Sequence, residues 1–188
     1  MRRGWFEVPG EVVGDRTLAE QMLGIAPALA EANNKTVLDL GCAEGLIARE
    51  FLMAGAHRVI GIDNNPGMIE AAKALRLDPQ RSRFVRHDAN VIGANEEDYC
   101  HADIVLALAV FHKLREPAVS VLEWARFAGS LMVIRLPKRS EGEIRSKHYP
   151  HNEANIPAIL ENCGFTLDQT LPGPRGELVQ HWRRLGLR

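Results

Sequence analysis

The chain has 188 residues, 46% hydrophobic and 25% charged, a balance that suits one globular domain with a substantial core. Its 23 basic and 24 acidic residues leave a net charge of −1, so no global field draws it to nucleic acid or an anionic membrane, and any basic site must be local. No apolar run is long enough to span a bilayer, and Glu7, Pro9, Gly10 and Glu11 interrupt any signal-like core near the start, so a cytoplasmic protein is expected. Cys42, Cys100 and Cys163 are odd in number and widely spaced, which fits neither a disulfide framework nor a zinc knuckle; they are read as reduced thiols.

Leu18, Met22, Ile25 and Leu29 recur at helical spacing after Asp15 or Thr17 as a cap, with Gly24 and Pro27 placed to split the stretch in two. Residues 36–40 read as a short buried strand, 46–54 as a helix ended by Gly55, and 58–62 as a second strand. Pro66 suits a first helical turn, and Met68, Ala72 and Leu75 follow on one face until Asp78-Pro79. Residues 84–87 and 103–109 are the third and fourth strands. The fourth, DIVLALA, has no polar residue after its start, so both of its faces should be covered. Ala118, Val121, Leu122 and Ala125 mark the next helix and residues 130–136 a fifth strand. The polar run 138–147 reads as a loop, and Ile156, Ile159, Leu160 and Cys163 as a helix closed by Gly164. Residues 165–171 and 178–183, separated by Pro172-Gly173-Pro174, read as a terminal hairpin. Strands alternating with helices give an α/β fold with an open, mostly parallel sheet covered on both faces, and ligands in such sheets bind beyond the carboxyl ends of the strands.

The stretch VLDLGCAEG (37–45) runs from the first strand into a turn flanked by Gly41 and Gly45. Missing side chains there admit a ligand to the backbone and allow positive φ. The dinucleotide fingerprint G-x-G-x-x-G fails at two of three places, where Ala43 and Leu46 stand. Asp63 ends the second strand, one strand–helix unit later, where a carboxylate can accept hydrogen bonds from both hydroxyls of a ribose. Its competing role, N-cap of the Pro66 helix, is better filled by Asn64 or Asn65.

In this order and spacing, VLDLGCAEG, GIDNNPGMIEAA, RFVRHDAN and DIVLALAVFHKL resemble the class I (Rossmann-like) S-adenosylmethionine-dependent methyltransferases, most strongly over residues 36–137. The resemblance implies a seven-stranded, mostly parallel sheet with helices on both faces and an antiparallel last strand. It implies one domain, with a helical lid or leading segment (1–35), a cofactor-binding core (36–137) and an acceptor-side loop, helix and hairpin (138–188). The implied cofactor is S-adenosylmethionine and the product S-adenosylhomocysteine. Carried over position by position, Asp39, Gly41, Ala43 and Gly45 would cradle the methionine portion and ribose, with Asp39 near the ammonium. Ala43 stands where many members have a third glycine. Asp63 would hold the ribose hydroxyls, Asn64 and Met68 would line the adenine, and Asp88 with Ala89 would read its edge. Ala109, Val110 and Phe111 would flank the sulfonium and the incoming acceptor.

Methyl transfer from a sulfonium is an in-line displacement that depends on orientation and exclusion of water; a base is needed only where the acceptor must lose a proton. His112 is the candidate base, the alternative being a histidine that packs the loop. His148, Tyr149 and His151 would reach over the acceptor pocket, but the H-x-x-H pair lacks a third ligand and no metal is expected. Trp5 and Phe6 are candidates for a lid, and Arg16 reads as a solvated side chain. Residues 108–111 (LAVF) lack the Asn/Asp-Pro-Pro-aromatic pattern of amine-methylating nucleic-acid enzymes, and no cysteine follows a proline as in cytosine-C5 enzymes. A hydroxyl or amine of a small molecule or glycan is therefore the expected acceptor. An RNA methyltransferase using Lys138, Arg139, Arg145 and Lys147, and a non-catalytic S-adenosylmethionine-binding module, are the alternatives.

Overall fold

The computed structural model describes residues 2–6, 12–90, 101–108, 110–136, 143–145 and 153–186. Two short strands, β1 (Arg2–Phe6) and β2 (Val12–Arg16), pair in parallel ahead of helices α1 (Leu18–Gln21) and α2 (Ala26–Ala30). Sequence pattern pointed to helix alone in this leading segment. The strands correct that reading, because neither carries the period-2 alternation that would announce it. Thr17 caps α1 in a reciprocal box with Glu20, and Gly24 (φ +77°) separates the two helices.

The core then follows as β3 (Thr36–Leu40), α3 (Leu46–Met53), β4 (Arg58–Asp63), α4 (Pro66–Ala74), β5 (Ser82–Arg86) and β6 (Ala102–Leu108). It continues as α5 (Pro117–Phe127), β7 (Ala128–Leu136), β8 (Glu143–Arg145), β9 (Glu153–Asn155), α6 (Ile156–Asn162), β10 (Phe165–Pro172) and β11 (Leu178–Arg184). Local chemistry places the helix starts: Asn65 and Asn155 accept hydrogen bonds from Gly67 and Ala158, and proline occupies the first turn of α4, α5 and α6. The run read as a loop contains β8, which pairs antiparallel with β9; three residues without alternation give no strand signal.

Seven strands form one sheet in the order β10-β11-β7-β6-β3-β4-β5. All neighbours are parallel except β11, which runs antiparallel to both β7 and β10. The chain moves outward from β3 through β4 to β5, then returns to the other side of β3 as β6 and β7, so the crevice between β3 and β6 is the switch point of the sheet. Alternate strand residues feed two cores. Leu38 and Leu40 face Trp124 of α5 and Leu160 of α6, while Val37 faces Phe51 of α3 and Ala28 of α2. No helix among the described residues is long and apolar enough to cross a membrane.

Gly45 caps α3 at φ +77°, and a Cβ built on it would stand 2.9 Å from Phe84 Cε1 and 3.0 Å from Ala72 Cβ. Both constraints act against any side chain at this position. Gly45→Ala is expected to lower unfolding stability by about 1–3 kcal/mol, read as a lower urea midpoint at unchanged slope.

Candidate functional site

The carboxyl end of β3 is tied to that of β4 by two backbone bonds, Gly41 N and Cys42 N both donating to Ile62 O at 2.9 Å. Beyond them the turn takes positive φ at Gly41 (+74°), Ala43 (+47°) and Gly45 (+77°). Asp63, the last residue of β4, secures this turn. Its Oδ2 accepts from Ala43 N at 3.1 Å and its Oδ1 from Asn65 N at 2.9 Å, while Asn65 caps α4. The acid therefore joins two loops at the switch point, and Asn65 takes the capping task.

Asp39 lies inside β3 with 2% of its surface exposed, and its Oδ2 has no hydrogen-bond partner. Burial, with the nearby Asp63 charge, raises its pKa to about 7 from the ordinary 3.8, against the pull of Arg135. Burial, Asp39 and Asp63 also push the Cys42 thiol well up, so this cysteine is an inert wall and no nucleophile.

These residues line one cavity of about 190 Å³ at the switch point. Of the residues singled out from sequence, Asp39, Gly41, Ala43, Asp63, Asn64 and Met68 form the β3–β4 side, and Asp88 with Ala89 the β5 side. Val110 closes the cavity beyond β6. A Cβ on Gly41 would meet nothing nearer than Val110 Cγ2 at 3.5 Å, so there the missing side chain leaves space toward the cavity rather than room for packing.

Asp88 Oδ1 accepts from Asn90 N at 3.0 Å and Asn90 Nδ2 at 2.7 Å, and Asn90 Oδ1 accepts from Arg115 N at 2.7 Å. Burial raises the Asp88 carboxyl, but these Asn90 bonds together with Arg115 and His87 outweigh it and hold the pKa below the ordinary value. Asp88 is thus an ionised acceptor at neutral pH. Ala89 O is occupied by Trp124 Nε1 at 3.1 Å, which fixes the loop after β5 against α5.

Two of the residues singled out lie away from the cavity walls. Gly45 does not line the cavity; its missing side chain is taken up by Phe84 and Ala72, the packing of α3 and α4 on the sheet. Phe111 is also absent from the walls: it is 1% exposed and stacks obliquely on Trp124, with ring centroids 5.7 Å apart. Ala109, Cys100, His148, Tyr149 and His151 lie outside the described residues, as do the side chains of Trp5, Phe6 and His112. The His112 backbone sits in a 3-10 turn, Phe111–Lys113, between the lining residues Val110 and Lys113.

Arg16 is not solvated. It pairs with Glu177 at 3.4 Å, and Glu177 Oε2 lies 3.8 Å from Arg135 Nε. Sequence reasoning also missed Gln21 and Asn90 as walls of the cavity. Asn90 follows directly after the Asp88-Ala89 pair and was within reach of that motif. Gln21 lies 18 residues before Asp39, on a four-residue helix, and only the tertiary fold brings it there. Among the described residues, no group of three or more His, Cys, Asp or Glu comes together as a metal site.

The sequence profile of the methyltransferase-domain family matches residues 37–127. The chain is 30% identical over 125 residues to the ribosomal protein L11 methyltransferase of Shewanella piezotolerans, covering 66% of this chain and 42% of that protein. It is 35% identical over 94 residues to the Klebsiella pneumoniae enzyme of the same name, covering 49% and 31%. The chain thus spans less than half the length of these relatives. In fold it is similar to the magnesium protoporphyrin IX methyltransferase of Synechocystis PCC 6803 solved with bound S-adenosylmethionine, at TM-score 0.64 and 22% identity over 85% of this chain and 77% of that one. The 1,6-didemethyltoxoflavin-N1-methyltransferase of Burkholderia thailandensis aligns at TM-score 0.63 and 19% identity over the same shares, 85% and 77%. The sequence match thus falls on the cavity-bearing core, and the sheet around that core has the fold of these methyltransferases.

Proposed function

We propose that the cavity binds S-adenosylmethionine and that the chain transfers a methyl group to a hydroxyl or amine of a small molecule or sugar. The observation that carries the reading is Asp39: a carboxylate almost wholly buried, with an oxygen lacking any partner, in the wall of a cavity beside a glycine turn. Burying such a group is costly unless a cation or strong donor meets it, and an α-ammonium fits that need. When bound, S-adenosylmethionine supplies an electrophilic methyl group on a sulfonium.

The residues divide the work by chemistry. Asp39 would accept from the ammonium. Asp63 spends one lone pair of each oxygen on Ala43 N and Asn65 N, and the remaining pairs suit two ribose hydroxyls. Asp88, ionised at neutral pH, would accept from the adenine amine, with Asn64, Met68 and Ala89 around the ring. His112, in the turn between two lining residues, is the proposed base for an acceptor that must lose a proton. Near-zero net charge and the missing Asn/Asp-Pro-Pro-aromatic pattern favour a small acceptor over nucleic acid. A second reading, a protein acceptor, is favoured by the names of the sequence relatives, ribosomal protein L11 methyltransferases.

Three outcomes follow. In calorimetry, S-adenosylhomocysteine binds the wild type, and Asp63→Ala weakens it at least tenfold, about 1.4 kcal/mol. With radiolabelled S-adenosylmethionine and a fractionated cell extract, label enters the small-molecule fraction and is lost with His112→Ala; label in protein or RNA fractions would move the acceptor to that class. The third concerns Asp39 itself. Its folded pKa of about 7 exceeds the ordinary 3.8, so the folded state holds the extra proton between those values. Stability therefore falls as pH rises through this window and is level above it. Asp39→Asn, neutral throughout, should gain stability relative to wild type at pH 8, and that advantage should shrink steadily as pH falls from 7 towards 4, measured by urea unfolding.

A further inference from the structure

Arg135, near the carboxyl end of β7, is 1% exposed and does not line the cavity. Its guanidinium instead grips α1: Nη1 donates to Gln21 Oε1 at 2.7 Å and Nη2 to the Gln21 backbone carbonyl. Glu177, itself paired with Arg16, lies 3.8 Å from the Nε edge of the guanidinium as an ion pair without a hydrogen bond. Burial, and Arg16 beside it, draw Arg135 down to a pKa of about 10, against Glu177 and Asp39, so it is still charged at neutral pH. The result is a rigid fork with a fixed direction.

That fork decides which end of the Gln21 amide is free. An arginine only donates, so the atom facing it must be the amide oxygen; a flipped amide would set donor against donor. Gln21 Nε2 is thereby turned away from Arg135, and it has no partner, although Gln21 is only 2% exposed and lines the cavity. Asp39 Oδ2 also lacks a partner, and among the described residues it and Gln21 Nε2 are the two such buried side-chain atoms on residues that line this cavity. One is a donor and one an acceptor. A ligand that satisfies both carries an acceptor anion and a donor cation close together, which is the chemistry of an α-amino acid.

We infer that Gln21 is a binding residue for the carboxylate of an α-amino-acid group whose ammonium is met by Asp39, and that Arg135 is a positioning residue that acts through Gln21. The inference rests on the reading of the cavity as a nucleoside-amino-acid site, and it assigns to the leading helix a part of the site that the strand-end motifs do not contain. It also gives a reason for Arg135 in an otherwise apolar strand (SLMVIRL): the guanidinium makes no contact with the cavity and fixes the group that does.

The test compares two ligands by calorimetry: S-adenosylhomocysteine, and 5′-methylthioadenosine, which keeps the nucleoside and lacks the amino-acid end. Gln21→Leu and Arg135→Lys should each weaken S-adenosylhomocysteine by about tenfold or more, the size of one lost charged hydrogen bond, and leave methylthioadenosine unchanged. Gln21→Glu keeps an acceptor for Arg135 and so a folded control; it sets a carboxylate where the ligand's carboxylate must lie and should weaken S-adenosylhomocysteine more than Gln21→Leu does. Equal losses for both ligands, or no loss for S-adenosylhomocysteine, would overturn the assignment. A wild type that binds methylthioadenosine no worse than S-adenosylhomocysteine would overturn it too while sparing the nucleoside site. A wild type that binds neither would remove the cofactor reading and this inference together.

Discussion

The constraint on which the site depends is a carboxylate kept where carboxylates do not belong. Asp39 stands one residue before the end of the central strand β3, between β4 and β6, and its side chain lies on the face shared with Val37 and the α3 core. Almost none of its surface meets water, and the charge of Asp63 adds to the penalty. A fold that only needed a strand there would place valine or isoleucine. What offsets the penalty within the protein is partial, the field of a buried guanidinium on β7, so the site is left with an electrostatic demand that a bound cation would meet.

The parallel sheet converts this local demand into a shaped site. Because β3, β4 and β6 run in one direction and the order reverses at β3, their carboxyl ends open on one crevice. Asp63 arrives there at the end of β4, one strand away from Asp39, and its two oxygens lock the glycine turn to the start of α4. The turn's two glycines then do different jobs. Gly41 leaves room toward the cavity, whereas Gly45 lets α3 and α4 close on Phe84, and so supports the turn from behind. On the far side, Asp88, Asn90 and Arg115 bind the loop after β5 to the segment after β6, so both edges of the crevice are held by polar bonds.

Much of this was legible in the residues because buried parallel strands write long apolar runs, and because caps such as Asn65 with Pro66 and Gly164 are local. Among the acids, Asp63 is readable from its place at the end of a strand, whereas Asp39 and Asp88 stand out through motifs that resemble those of a known family. What the chain order hides is anything set by side-chain direction or by distant partners. Phe111 lies next to Val110 in sequence, yet only Val110 faces the cavity, and the aromatic ring turns into the core against Trp124. Arg16 resembles a solvated arginine until Glu177, 161 residues on, is seen beside it. Gln21 and Arg135, 114 residues apart, carry no mutual signal at all. β1, β2 and β8 are short pieces without alternation, and nothing in their residues marks them as strands.

The central claim is that Asp39 must be ionised to receive a cationic ligand group, and its pKa of about 7 makes this directly measurable. Calorimetric titration with S-adenosylhomocysteine at pH 6 and pH 8 is the decisive measurement. The carboxylate is mostly protonated at the lower pH and mostly ionised at the higher, so affinity should be about tenfold tighter at pH 8 in the wild type and nearly flat in Asp39→Asn. An affinity that does not change with pH in the wild type, or a pH dependence that survives in Asp39→Asn, would contradict it.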